Sequence, residues 1–166
     1  MDRQVKEKIY YRKANIKDLE SLCLLRNQLA NDSEDKLTTE YAPYSSDRDK
    51  IWISKCLKAK KKVILVAEDN EGIIAHNIIV IETISPEMQS YYTYRKKALV
   101  VHLYVDKNKR RLGIGEALMD YTLKYLKKLG VEFVDLECYL YNQKAAALYN
   151  KIGFKDVFVT KRFSLK

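Results

Sequence analysis

Little in this sequence bends or cross-links the chain. Its 166 residues include only 5 Gly and 2 Pro, too few for a collagenous or low-complexity protein. Cys23, Cys56 and Cys138 are an odd, widely spaced trio with no C-x-x-C pair, so neither a disulfide framework nor a zinc or other metal site is indicated. They read as reduced packing residues. Apolar runs are as short as Val63 to Ala67, far below the roughly 20 residues that cross a bilayer. The N-terminal stretch MDRQVKEKIYYRK lacks the apolar core and small-residue cleavage site of a secretory signal. The expectation is a cytoplasmic protein with no membrane partner.

Hydrophobic residues make up 47% and charged residues 32%, the balance of a globular chain, and the length suits a single domain over residues 1–166. A net charge of +9 admits a nucleic acid, an anionic ligand or a Lys-rich coat. The basic stretches Lys58 to Lys62 and Arg95 to Lys97 read as solvated surface. Lys107 to Arg111 adjoins glycines and is more informative.

Strand and helix patterns alternate along the chain. Residues 8–14 read as a strand, and Asn15 with Asp18 three positions on caps a helix over 16–30, with Leu19, Leu22, Cys23 and Leu29 at helical spacing. After a polar stretch around Pro43, Ser46 and Asp49 open a second helix whose Trp52 and Cys56, then Ile53 and Leu57, repeat at i, i+4. Val63 to Ala67 and Ile73 to Ile84 form a hairpin about the turn 68–72. A loop with Pro86, Tyr91, Tyr92 and Tyr94 leads into a strand from Ala98 to Val105. From Gly113 the period becomes helical through Ile114, Leu118, Tyr121 and Tyr125, ending at Lys127, Lys128 and Gly130. A strand from Val131 to Leu140, a helix from Asn142 to Gly153 and a last strand over 154–163 follow. The order β-α-α-β-β-β-α-β-α-β predicts an α/β fold: a mixed central sheet, antiparallel in its first half and parallel across the β-α-β unit, flanked by helices.

The turn from Asp106 to Gly115 carries the chemistry. A helix N-terminus presents unpaired N–H groups and the positive end of its dipole, and glycine lets an anion approach. Arg110 and Arg111 would add direct charge, so the segment reads as a pyrophosphate cradle. A P-loop would need Lys and Ser or Thr after its last glycine, where Glu116 and Ala117 stand. A dinucleotide fingerprint would need a small residue at Leu118.

Arg110-Arg111-Leu112-Gly113-Ile114-Gly115 resembles the acetyl-CoA signature Arg/Gln-x-x-Gly-x-Gly/Ala of the GNAT (GCN5-related) N-acetyltransferases. A second block, Asn142-x-x-Ala145-x-x-x-Tyr149-x-x-x-Gly153-Phe154, is similar to that family's C-terminal motif. Residues 31–62 and 85–97 carry no such signal. The resemblance implies acetyl-CoA as cosubstrate and transfer of its acetyl group to a primary amine of a small molecule or peptide. It further implies that the backbone of Leu112, Gly113, Ile114, Gly115, Glu116 and Ala117 holds the pyrophosphate, and that Leu103 and Val105 offer backbone groups to the pantetheine arm. Asn142 would hydrogen-bond near that arm or the facing strand, and Tyr149 would protonate the departing thiolate. Because the family often dimerises, a homodimer is admitted.

An amine like that of lysine, with pKa about 10.4, must lose a proton before attack. Family members that use an acid on the central strand have it near where this chain reads Lys96-Lys97-Ala98-Leu99. Glu82 is the first candidate base, with His102 and Glu137 behind it. Tyr91 to Tyr94 could form an acceptor wall. Two rival readings are a non-catalytic acyl-CoA sensor of the same fold, which keeps the cradle without a productive base, and a nucleic-acid binder. The second lacks a recognition helix or an RNP-like aromatic pattern.

Overall fold

β-Branched runs pair into one sheet in the computed structural model, which describes residues 8–33, 44–163 and 165. In chain order the elements are β1 (Tyr10–Lys13), α1 (Leu19–Ser33), α2 (Ser46–Lys58), β2 (Lys62–Asp69), β3 (Gly72–Thr83), β4 (Lys96–Val105), α3 (Ile114–Lys128), β5 (Phe133–Leu136) and α4 (Gln143–Ile152). The strands lie in sequence order, antiparallel from β1 to β4, and β5 joins β4 in parallel across α3. This is the expected α/β mixed sheet. No helix among the described residues is long and apolar enough to cross a membrane.

Local chemistry sets several boundaries. Asn15 Oδ1 accepts from Lys17 N at 2.9 Å while Asn15 N donates to Asp18 Oδ2 at 2.7 Å, and this reciprocal cap opens a 3₁₀ turn over Ile16–Asp18 before α1. Arg12 grips Asp18 through two hydrogen bonds of 2.8 and 2.9 Å, tying the cap to β1. Asp69 Oδ1 accepts from Glu71 N and Gly72 N, so the β2–β3 hairpin closes on Asn70 and Glu71, with Gly72 at φ 133°.

Helices cover both faces. Ile114, Leu118, Met119 and Leu126 of α3 pack against Leu65, Ala75, Ile79, Ala98 and Val100. On the other face Leu22 of α1 and Ile53 and Cys56 of α2 pack against Ile64, Val66 and Ile78. Each such side chain contributes about 1.5–3 kcal/mol on burial.

The structure corrects parts of the sequence reading. α1 runs to Ser33 rather than 30, β1 keeps only Tyr10–Lys13 of 8–14, and β5 only Phe133–Leu136 of 131–140. The tyrosine loop contains a 3₁₀ helix over Pro86–Tyr91. The strand expected over 154–163 does not form: Val157, Phe158, Val159 and Phe163 are exposed, and the segment pairs with no strand of the described sheet. Its apolar alternation suits a strand, but a strand exists only through a partner edge. Pro43 lies outside the described residues.

One polar contact crosses the α3 face. Asn77 Nδ2 donates to Thr122 Oγ1 at 2.9 Å, and Thr122 Oγ1 donates to Leu118 O at 2.8 Å, with both residues fully buried. Thr122→Val keeps the shape and leaves the Asn77 amide only its long contact to Met119 Sδ at 3.9 Å. Urea unfolding should show a loss of about 1–3 kcal/mol, and a change below measurement error would refute a stabilising role for this bond.

Candidate active site

The site begins where β4 and β5 part. Their pairing runs from Lys97 with Phe133 to Val100 with Leu136 and stops, although β4 continues to Val105. At the same point Ile79 pairs with Val100 and Ile78 with His102, which leaves Val101 as an extra residue in β4. Asp106 N donates to Ile74 O, so by strand alternation the N–H and C=O of Leu103 and Val105 turn away from β3 into the opened notch. Arg110 Nε takes one of these groups, the Val105 carbonyl, at 3.0 Å.

Beyond Val105 the chain turns through a 3₁₀ helix over Lys107–Lys109 and enters α3 at Gly113, whose φ is 78° and which caps no N–H with a side chain. Arg111 adopts φ 68°, a left-handed conformation that a non-glycine residue occupies at a cost of about 1 kcal/mol or more. The first N–H groups of α3 are thus unmet by any capping side chain. A Cβ at Gly115 would lie 3.4 Å from Val105 Cγ2 and 3.7 Å from Leu148 Cδ2, in ordinary contact with both, so the first turn of α3 lies close against β4 and α4. These features fit an anionic group with a slender arm, as expected of CoA.

Signature residues divide by task. Leu112 and Gly113 are exposed, Ile114 is buried in the α3 core, and Gly115, Glu116 and Ala117 are half-buried on the first turn. Lys151 Nζ donates to Glu116 Oε2 at 2.6 Å, joining α3 to α4. Arg110 is ion-paired with Asp32 of α1 and stacks over the Tyr104 ring at 5.0 Å, so its charge is not turned solely to the cradle. Lys109 pairs with Asp69 at 2.8 Å and Glu71 at 3.0 Å. Arg111 has no such ion pair among the described residues.

Tyr149 lies on α4, half-buried against the α3 core, with its ring edge-on to Phe154 at 5.9 Å. Burial, with Cys138 nearby, pushes its phenol up to about 12, so it carries its proton at neutral pH. Asn142 caps α4, its Oδ1 accepting from Ala145 N at 3.2 Å, so its carbonyl oxygen serves the helix and not the facing strand.

His102 stands on the opposite face of the sheet. The extra residue at Val101 shifts the alternation so that Leu103 and Val105 join the α3 core while His102 and Tyr104 face α1 and α2. Trp52 of α2 meets the His102 ring edge-on at 5.7 Å, and Arg26, bridged to Asp49 at 3.1 and 3.2 Å, stacks on Trp52 at 5.2 Å. Burial first, then Arg26, holds the His102 imidazole down to about 4, hence neutral at pH 7. Glu82 is not brought to the notch. It is exposed opposite Lys97, 3.6 Å from its ammonium, and Lys97 is about 13 Å along β4 from Val101 at ~3.3 Å per residue. Glu137 is exposed just past β5. Tyr92, Tyr94 and Phe133 meet in series, tilted at 5.3 Å and edge-on at 5.1 Å, and Tyr92 with Glu82 borders an open groove of about 370 Å³ away from the cradle.

The bulge, the approach of Trp52 to His102 and of Cys138 to Tyr149, and the Asp32–Arg110 pair are absent from the sequence reading. Val101 sits in a strand-like run that shows no break, and the others depend on tertiary approach.

Comparison with known proteins agrees with this architecture. The model of the acetyltransferase (GNAT) family matches residues 26–154, and the chain belongs to that family. It is 34% identical over 108 residues to an N-alpha-acetyltransferase of Sulfurisphaera tokodaii, covering 64% of this chain and 65% of that protein. It is 31% identical over 67 residues to the ribosomal protein bS18 alanine N-acetyltransferase of Escherichia coli, covering 40% of this chain and 45% of that protein. The matched stretches therefore span less than two thirds of these relatives. Among solved structures, aminoglycoside N-acetyltransferase AAC(6')-Iy in complex with CoA has a TM-score of 0.78 at 14% identity, covering 97% of each chain. A predicted acetyltransferase with acetyl-CoA from Clostridium acetobutylicum has a TM-score of 0.72 at 22% identity, covering 95% of this chain and 97% of that one. Both share the fold.

Two buried histidines make stability pH-dependent. Burial holds His76 down to about 3 and His102 to about 4, against about 6.5 in an unfolded chain. Their contribution is complete above about pH 6.5 and is lost as pH falls from there toward the folded values. Urea unfolding at pH 5 should give less stability than at pH 7.5 by on the order of 2 kcal/mol per histidine, and His102→Gln should remove about half of that fall. An equal fall in the variant would mean that His102 is not held neutral by the fold.

Proposed function

We propose that this protein is an acetyl-CoA-dependent N-acetyltransferase whose acceptor is the α-amine of a peptide or protein. The observation that carries the reading is the notch between β4 and β5, opening beside a glycine-cradled helix terminus. The N–H groups at the start of α3 receive the pyrophosphate, and Leu103 N–H and C=O with Val105 N–H pair with the amides of the pantetheine arm as a further strand would. The arm then points toward Val101, where the bulge leaves β4 backbone groups to polarise the thioester carbonyl.

The amine nitrogen attacks the carbonyl carbon, the C–S bond breaks, and the thiolate takes a proton from Tyr149 Oη. A phenol at about 12 is fully protonated at pH 7 and gives up its proton only as negative charge develops on sulfur. On the other face, neutral His102 is the group placed to accept the amine's proton, directly or through water. It takes precedence over Glu82, which is paired to Lys97 away from the notch.

The low basicity of His102 favours an α-amine. At pH 7 roughly a tenth of α-amino groups, with pKa about 7.7–8.0, are already neutral, against about one lysine in 2,500. A weak base suffices for the first and is a poor match for the second. One relative at 34% identity is named an N-alpha-acetyltransferase and one at 31% a ribosomal protein bS18 alanine N-acetyltransferase, which supports an α-amine acceptor, whereas the likeness to aminoglycoside enzymes is one of fold.

Two results test the reading. With acetyl-CoA and thiol-release detection, peptides with free N-termini should turn over, while their Nα-blocked counterparts and aminoglycosides should not. Preference for a lysine side chain in a blocked peptide would overturn the α-amine assignment. Tyr149→Phe should lower kcat by about 10²-fold or more with acetyl-CoA affinity within twofold. Unchanged turnover would remove Tyr149 as the acid, and acetyl-CoA binding without turnover of any amine would leave an acyl-CoA sensor.

A further inference from the structure

Asp32 is an odd residue where it stands. It occupies the last turn of α1, where the negative end of the helix dipole disfavours a carboxylate, and no basic residue of that turn offsets it. Its compensation comes from Arg110, the first residue of the signature, which donates from Nη2 to Asp32 Oδ2. Tyr104 Oη donates to the same oxygen at 2.9 Å, and the Arg110 guanidinium lies 5.0 Å above the Tyr104 ring. A further donor, Nε, bonds back to Val105 O at 3.0 Å, fastening Arg110 to the strand that precedes it.

A second grip lies one turn earlier on the same face of α1. Gln28 Nε2 donates to Asp106 Oδ2 at 2.9 Å, and Asp106 Oδ1 caps Asn108 N at 2.8 Å. Gln28 and Asp32, four residues apart, therefore hold Asp106 and Arg110, also four apart, at the two ends of the turn that delivers the chain to the cradle. The left-handed residue Arg111 follows at once, so the orientation of Arg110 fixes the direction in which Leu112 to Gly115 leave.

We propose that Arg110 works as a strut and not as a phosphate ligand, and that Asp32 and Tyr104 are positioning residues that set acetyl-CoA affinity through it. The inference rests on the reading of the 112–117 backbone as the pyrophosphate site. It makes a prediction opposite in sign to simple electrostatics. If Arg110 served the phosphates by charge, neutralising Asp32 would free the guanidinium and remove a repelling anion, and affinity would rise. With Arg110 as a strut, the same change loosens the turn and affinity falls.

The test is equilibrium binding of acetyl-CoA by calorimetry, with steady-state kinetics on a peptide amine, well below the unfolding temperature of each variant. Asp32→Asn should raise Kd and the KM for acetyl-CoA together by about 5–20-fold, with kcat changed less than twofold. Arg110→Lys should cost a similar factor despite keeping its charge, and the double variant should be little worse than either single one, since both break one unit. Tyr104→Phe removes one hydroxyl, keeps the ring, and should raise Kd about 2–5-fold. It decides the matter if Asp32→Asn does not fold. Equal or tighter binding by Asp32→Asn, or by Tyr104→Phe in that event, overturns the strut while leaving the cosubstrate site standing. Absence of acetyl-CoA binding by the unaltered protein overturns the site reading, and the strut with it.

Discussion

The parting of β4 from β5 beyond Val100 and Leu136 is the constraint on which the rest of the site depends. Peptide groups inside a sheet are normally consumed by their neighbours, and a buried unpaired one costs about 1–3 kcal/mol. This fold leaves a row of them uncovered over Leu103 and Val105. It does so by combining a short β5, an extra residue at Val101 and a turn that carries the chain out of the sheet at Asp106. α3 then has to start beside the uncovered edge, which brings its unpaired N–H groups into line with those of the strand. Gly115 belongs to the same geometry, because the first turn of α3 lies close enough to Val105 and Leu148 for a Cβ to touch both.

The charge distribution is more economical than a net +9 suggests. Two of the cations nearest the cradle are engaged in holding its approach: Lys109 on the β2–β3 turn through Asp69 and Glu71, and Arg110 on α1 through Asp32. On the proposed reading, anion recognition falls mainly to backbone dipoles, which are fixed in direction, with the general positive field drawing anions toward the protein. Fixed dipoles demand an accurately placed turn. The ion pairs of Lys109 and Arg110 supply that placement from two different elements.

Local signals were legible in the sequence wherever one segment suffices to express them. The period of Ile114, Leu118 and Tyr125, the Asn15–Asp18 cap, the turn before Gly72 and the glycine turn into α3 all involve residues within a few positions of one another, and the structure has them as read. The bulge at Val101 was not legible, because Val-Val-His reads as uninterrupted strand and the extra residue is defined only against Ile78 and Ile79. The tail over 154–163 has strand-like alternation but no neighbour in the described sheet, so propensity alone misled. Asp32 lies 78 positions from Arg110, and its role could not be read without the fold. Glu82 was chosen for being a carboxylate near the central strand, and Lys97 already occupies it.

Separation of the two proton positions across the sheet has a chemical consequence. Acetyl transfer to an amine needs a proton removed from nitrogen and a proton delivered to sulfur, and two separate groups can each be tuned to one of these tasks. In the proposed reaction the two positions lie on opposite faces of the sheet, Tyr149 on the α3 and α4 face and His102 on the α1 and α2 face, beside Trp52. Burial pushes the two groups in opposite directions, the phenol up and the imidazole down, because in each case it disfavours the charged form. In the proposed reaction this keeps Tyr149, as acid, protonated and His102, as base, unprotonated over the whole neutral range. That arrangement gives up base strength at His102, and an acceptor that is already partly neutral in water is the one that can do without it.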